Sequence, residues 1–219
     1  MVTSIINFTE KQIEAEIPRS SPNRRQQEAM NVAIRPKLAN LGGNDNAQRA
    51  RQSISTATIL DPCCGGRMMW FDRQDQRALF GDIRSEQHTL CDGRVFSITP
   101  DLNMDFRAMP FADESFRLVA FDPPHLRRAG LASWLRAKYG ILGDDWQDDL
   151  RRGFAECFRV LKPEGILIFK WAEIQVPVSQ ILALTHHKPL FGHKSGKREK
   201  THWLAFLKPA ATANDEAVP

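Results

Sequence analysis

The residues best able to do chemistry in this chain stand at the ends of apolar runs. Leu118-Val119-Ala120-Phe121 has the composition of a buried strand, and it stops in Asp122-Pro123-Pro124-His125. There a carboxylate is followed by two prolines that fix the backbone and bar further ladder pairing. Upstream, Phe80-Gly81-Asp82-Ile83-Arg84 puts a second carboxylate at a strand end, where it can accept both hydroxyls of a ribose; the plainer reading is that Asp82 only ends the strand. Earlier still, Ile59-Leu60-Asp61-Pro62-Cys63-Cys64-Gly65-Gly66 reads as a strand end and a glycine turn, and the apolar residues from Met68 are expected to begin a helix. Backbone N–H groups at such a turn and helix start can approach the negative part of a ligand, which points to a nucleotide-like cofactor, although glycine turns also serve as mere connectors.

Those stretches are followed by Asp105-Phe106 ahead of Met109-Pro110-Phe111, and later by Arg159-Val160-Leu161-Lys162-Pro163-Glu164-Gly165. In this order, over about Ile54 to Lys208, the chain resembles a class I S-adenosylmethionine-dependent methyltransferase. Asp122-Pro123-Pro124-His125 is similar to the Asp-Pro-Pro-Tyr motif of bacterial and phage enzymes that methylate exocyclic amino groups, chiefly adenine N6 and cytosine N4 of nucleic acids. The resemblance implies that the backbone around Asp61, Pro62, Cys63 and Gly65 meets the methionine end of S-adenosylmethionine. It implies further that Asp82 holds the ribose, Asp105 the adenine amino group, and Phe106 the adenine ring. The catalytic group would be Asp122, Pro123, Pro124 and His125, with the Asp122 carboxylate and the Pro123 carbonyl accepting the two amino hydrogens so that the nitrogen lone pair is free. The chain departs from the pattern at His125, which replaces an aromatic ring with a titratable imidazole, at Cys63, and at Arg67, which replaces the last turn glycine. Arg67 is expected near the methionine carboxylate.

Positioning these residues requires alternating strands and helices. The predicted strands are Thr58 to Leu60, Ala78 to Asp82, Ile98 to Leu102, Leu118 to Phe121, Ile166 to Trp171, Lys188 to Gly192 and Trp203 to Lys208. The fold class is α/β, a Rossmann-like, seven-stranded, mostly parallel sheet with helices on both faces, and the resemblance implies an antiparallel last strand. Ligands of such sheets sit beyond the carboxyl ends of the strands, where the marked acids fall. Leu126 to Asp149 is a long connection carrying a short helix from Ser133 to Tyr139, a candidate lid. A second helix starts at Asp144 or Asp145 and ends near Arg159. Trp134, Tyr139 and Trp146 are read as core or hinge packing, with base stacking as the alternative.

The 219 residues are 42% hydrophobic and suit one catalytic domain. Residues 1–52 read as a helical basic arm, 53–208 as the methyltransferase domain and 209–219 as a disordered tail. A formal charge of +4 permits a polyanionic partner without requiring one. Lys194, Lys197, Arg198 and Lys200 cluster in the turn between the last two strands, where phosphate contact and a solvated hairpin tip are equally open readings. Cys63, Cys64, Cys91 and Cys157 lack zinc-ligand spacing, so reduced thiols and no metal are expected. With no membrane-length apolar run and no leader, the reading is cytoplasmic. Two function classes follow: a nucleic-acid amino methyltransferase acting on DNA or RNA, adenine N6 favoured, or a methyltransferase of small molecules or protein side chains. Room for a target-recognition domain is short, so recognition is local or comes from a partner protein. A cofactor-binding module without catalysis would leave Asp122-Pro123-Pro124 with no task.

Overall fold

The computed structural model describes residues 57–90, 92–131 and 133–210, with Lys197 in its backbone alone. The basic arm, its helical stretch, Cys91 and the tail beyond residue 210 lie outside the described residues. In chain order the elements are β1 (Ile59–Asp61), β2 (Ala78–Asp82), β3 (Glu86–Thr89), β4 (Val95–Ile98), β5 (Leu102–Asn103), β6 (Phe116–Phe121), α1 (Trp134–Tyr139), α2 (Trp146–Val160), β7 (Leu161–Ala172), α3 (Val178–Leu182), β8 (Phe191–Ser195) and β9 (Thr201–Leu207). Seven strands make one sheet in the order β5-β2-β1-β6-β7-β9-β8. From β5 to β7 every pairing is parallel, and β9 runs antiparallel to both of its neighbours. This is the expected Rossmann-like, seven-stranded, mostly parallel sheet, with its last strand reversed.

The pattern of residues explains the layers. All five residues of β2 are buried, as befits a parallel strand covered on both faces. In β7, Leu167, Phe169 and Trp171 are buried while Ile166, Ile168 and Lys170 are half-buried, the period-two alternation of a strand. Trp146, Leu150, Gly153, Phe154, Cys157 and Phe158 recur at helical spacing on α2, with Asp148 and Asp149 in its first turn and Arg159 in its last, matching the helix dipole. That stripe joins Leu60, Val119, Phe121, Phe169 and Phe206 in one core cluster. On the neighbouring strands Ile59 of β1, with Ala78 and Phe80 of β2, forms a smaller cluster with Cys64 and Trp70.

Gly153 matters because a Cβ there would lie 2.8 Å from the Phe106 ring and 2.9 Å from Phe121. On an exposed helix face Gly→Ala adds stability of about 1 kcal/mol. Here overpacking wins: Gly153→Ala lowers stability by about 1–3 kcal/mol. Thermal denaturation checks this, and a melting temperature unchanged or raised would show that the rings yield freely.

Three expectations are corrected. No helix follows the Gly65-Gly66 turn; residues 67–77 run through successive turns into β2. Past Phe71 the segment is polar and lacks an apolar stripe, and Asp72 and Asp75 accept bonds from the backbone N–H of Gln74 and Arg77, which favours turns over helix. The strand predicted at Ile98 to Leu102 is two pieces, because Pro100 interrupts it: Val95–Ile98 pairs back on Glu86–Thr89 as a hairpin, and only Leu102–Asn103 joins the main sheet. Asp92-Gly93, with Gly93 at φ 81°, was the available hairpin signal. Finally, β8 begins at Phe191 rather than Lys188.

Candidate active site

Asp61 ends β1, Asp82 ends β2 and Asp122 follows β6, so three carboxylates meet at the carboxyl edge of adjacent parallel strands. A cleft opens there. Its walls are Pro62, Cys63 and Gly65 from the turn after β1, Asp82 to Arg84 from the end of β2, and Asp122 to His125 from the end of β6. Phe106 contributes a ring, held edge-on against Phe121 at 5.5 Å between centroids. Lys138 and Tyr139 of α1 close the cleft, leaving about 60 Å³ inside.

Eight expected site residues beside Asp82 therefore share one cavity: Pro62, Cys63, Gly65, Phe106, Asp122, Pro123, Pro124 and His125. Asp82 accepts the Gly65 N–H at 2.9 Å on one oxygen and the Arg84 N–H at 2.9 Å on the other. The turn's donor is thus committed to a side chain, so the turn itself is organised by Asp82. Asp61 stands behind the cleft, fully buried, accepting from the Cys63 N–H at 3.2 Å and the Trp70 Nε1–H at 2.8 Å. Asp105 does not line the cleft either. Arg107 holds its carboxylate in a bidentate pair, below the usual carboxylate range, and also reaches Asp149 of α2 at 2.7 Å. Arg67 is away from the cleft: it donates to the carbonyls of Arg73 and Thr99, pairs with Asp101 at 2.9 Å and lies over the Phe80 ring. With φ 54°, Arg67 takes the left-handed turn a glycine would take, and its side chain staples the turn to the strand beyond.

Burial among like charges tunes these acids. Desolvation, with Asp122 and Asp82 nearby, pushes the Asp61 carboxyl up to about 7 despite its two hydrogen bonds. The folded chain therefore keeps a proton between about pH 4 and pH 7 that the unfolded chain has released, so stability is fullest at the acid end of this window and is lost as pH rises through 7. Wild-type melting temperature should fall from pH 5 to pH 8 more steeply than that of Asp61→Asn; parallel curves would remove Asp61 as the source. The Cys63 thiol is pushed well up by burial and the charges of Asp82 and Asp61, which makes it inert as a nucleophile.

Asp122 is raised by burial, and Lys170 opposes the rise. Lys170 Nζ makes an ion pair with Asp122 Oδ2 and lies over the Trp203 ring. His125 is buried, with Tyr139 at 5.0 Å and Trp171 at 6.3 Å between ring centroids. Burial and the Lys170 charge push its imidazole down to about 4, so it is neutral near pH 7.

Lys170 and Arg84 are the residues sequence reading missed. A single lysine inside Ile166-Leu167-Ile168-Phe169-Lys170-Trp171 was the signal for the first. Tyr139 was read as packing, yet its ring lines the cleft; Trp134 is 52% exposed, and only Trp146 is buried core. Arg84 donates from Nε to Asp82 at 3.3 Å and from Nη1 to the Ala137 carbonyl at 2.9 Å, tying α1 to the end of β2. Lys194, Arg198 and Lys200 are exposed on the β8–β9 hairpin. The Ala172–Thr201 pairing places that hairpin at the carboxyl end of β7, the same edge as Asp122. The side chain of Lys197 lies outside the described residues. Among the described residues no group of His, Cys, Asp and Glu is arranged to hold a metal, and no helix is long and apolar enough to cross a membrane. Cys63, Cys64 and Cys157 are free thiols.

No protein-family model matches the sequence, and no curated protein matches it. Solved structures similar in outline include the PH0226 protein of Pyrococcus horikoshii OT3, at 15% identity over 92% of this chain and 100% of the other, TM-score 0.45. The 1,6-didemethyltoxoflavin-N1-methyltransferase of Burkholderia thailandensis, with bound S-adenosylhomocysteine, is 10% identical over 89% of this chain and 93% of the other, TM-score 0.42. A TehB-like SAM-dependent methyltransferase of Corynebacterium glutamicum is 17% identical over 85% of this chain and 100% of the other, TM-score 0.42. What the cleft does is read from its own residues.

Proposed function

We propose that this chain is an S-adenosylmethionine-dependent methyltransferase acting on an exocyclic amino nitrogen of a nucleic-acid base, adenine N6 favoured. The observation that carries the reading is the position of Asp122-Pro123-Pro124 in one cleft with Asp82, Phe106 and the turn through Cys63 and Gly65. The chemistry of these groups fits the cofactor: a carboxylate for ribose hydroxyls, an aromatic face for adenine, and a tight turn for the amino-acid end.

The cofactor would supply a methyl group on a positive sulfur and leave as the neutral thioether S-adenosylhomocysteine. The methylated nitrogen, briefly cationic and strongly acidic, gives its proton to water, so no strong base is needed and positioning dominates. Asp82 orients the ribose. The Asp122 carboxylate and the Pro123 carbonyl accept the amino hydrogens and leave the lone pair aimed at the methyl. The neutral, buried His125 supports Tyr139, whose ring offers the flat surface that a base taken out of a stack requires. Lys194, Arg198 and Lys200 supply phosphate contacts along the same edge of the sheet, and a recognition partner remains part of the reading.

Incubation with methyl-labelled S-adenosylmethionine and separate DNA, RNA, protein and metabolite pools tests this. Label is expected in DNA or RNA, on adenine N6 after digestion; label confined to protein or metabolites would replace the reading with the small-molecule or side-chain alternative.

A further inference from the structure

Beside the cleft lies a second, larger groove of about 610 Å³ between the β3–β4 hairpin and α1. The two cavities share Arg84. They are also joined along α1, where Lys138 Nζ lies 5.1 Å from the centre of the Trp134 ring in the groove and 5.0 Å from that of Tyr139 in the cleft. An aromatic ring, a cation and a second aromatic ring thus run from one cavity to the other.

Trp134 is 52% exposed, a large apolar face that the core does not use. Cations stand around it: Lys138 lies against its ring, and Arg136 and Arg84 line the same groove. Glu86, on the hairpin side of the groove, is turned to Arg84 at 3.5 Å and His88 at 3.3 Å. An exposed aromatic face among cations suits a base and its phosphate: the ring stacks whichever base is present, and the cations follow the backbone. A base inside a duplex has both faces already stacked and cannot take such a platform.

Resting on the function proposed above, we propose that this groove seats the nucleotide adjacent to the target in an unpaired DNA or RNA strand, with Trp134 as its stacking platform and Arg136 near its phosphate. The target base then enters over Tyr139 while its neighbour is held on Trp134.

The test uses the full chain with S-adenosylhomocysteine added and fluorescence anisotropy of labelled mixed-sequence 12-mers of DNA and RNA. The same DNA as a duplex and an acidic peptide of equal charge complete the set. Trp134→Ala should weaken binding of the unpaired strand about ten-fold or more, and Trp134→Phe should recover most of it. Circular dichroism certifies that each variant is folded. Equal affinity of wild type and Trp134→Ala for the unpaired strand, tighter binding of the duplex, or Trp134-dependent binding of the peptide alone would each overturn the proposal. Where nucleic acid is methylated at the same rate by wild type and Trp134→Ala, the groove assignment fails and the methyltransferase reading stands. Where wild type labels no nucleic acid at all, the reading beneath it fails as well.

Discussion

Under the proposed function, Asp122→Asn is expected to lower methyl transfer to the amine about 10³-fold, the order of loss seen when one preorganised polar group is removed from a reacting centre. Asparagine keeps the shape of the side chain but replaces one acceptor oxygen with an N–H donor pointed at a substrate amine that also donates. The amine then keeps its lone pair delocalised into the ring. The Lys170 ammonium loses its counter-charge at the same time. Single-turnover transfer of a labelled methyl group, with cofactor saturating, separates this loss from any change in cofactor affinity. A rate within ten-fold of wild type would remove Asp122 from the chemistry.

Lys170→Met is the second large effect, and its size depends on pH. Asp122 is raised by burial, Asp61 stands beside it, and Asp82 ends the next strand but one; among the groups facing it Lys170 is the cation that holds it down. Removing that cation raises the Asp122 carboxyl further, so less of it is ionised at any pH below its new midpoint. Activity at neutral pH should fall about ten-fold to a hundred-fold, recover as the pH is raised, and be largely retained in Lys170→Arg, which keeps the charge. His125 is neutral near pH 7 and does not add a second limb there. A pH–rate profile for Lys170→Met that is lowered uniformly, with its acid limb unmoved, would mean that Lys170 acts only by packing on Trp203.

How much of this was legible beforehand depends on the range of the interaction. β2, β6 and α2 are written in local composition, so their apolar runs, the terminal Asp82 and Asp122, and the acidic start of α2 could be read directly. The glycine turn was placed correctly, but its continuation as a helix was not: the turn-favouring Asp72 and Asp75 are local, while the contacts that hold Arg67 lie 32 and 34 residues away. Trp70 reaches Asp61, and Arg67 reaches Thr99 and Asp101. Asp105 is a different case: Arg107, two residues on, takes its carboxylate, and only the further tie from Arg107 to Asp149 required the fold. Lys170 is 48 residues from Asp122, and nothing local to either residue announces the pair. Trp146 opens α2 and belongs to its buried stripe, whereas Trp134 and Tyr139 lie on the short α1, one exposed and the other lining the cleft, a difference that composition alone does not carry.

Arg84 carries a consequence for the order of events. One guanidinium grips both the carboxylate at the end of β2 and the carbonyl of Ala137 in α1. Ribose hydroxyls arriving at Asp82 compete with that grip, so loading the donor loosens the hinge over which the acceptor must pass. Under the proposed reading the enzyme is then a compulsory sequence, donor first and acceptor second, and product-inhibition kinetics rather than further structure is where that ordering would be visible.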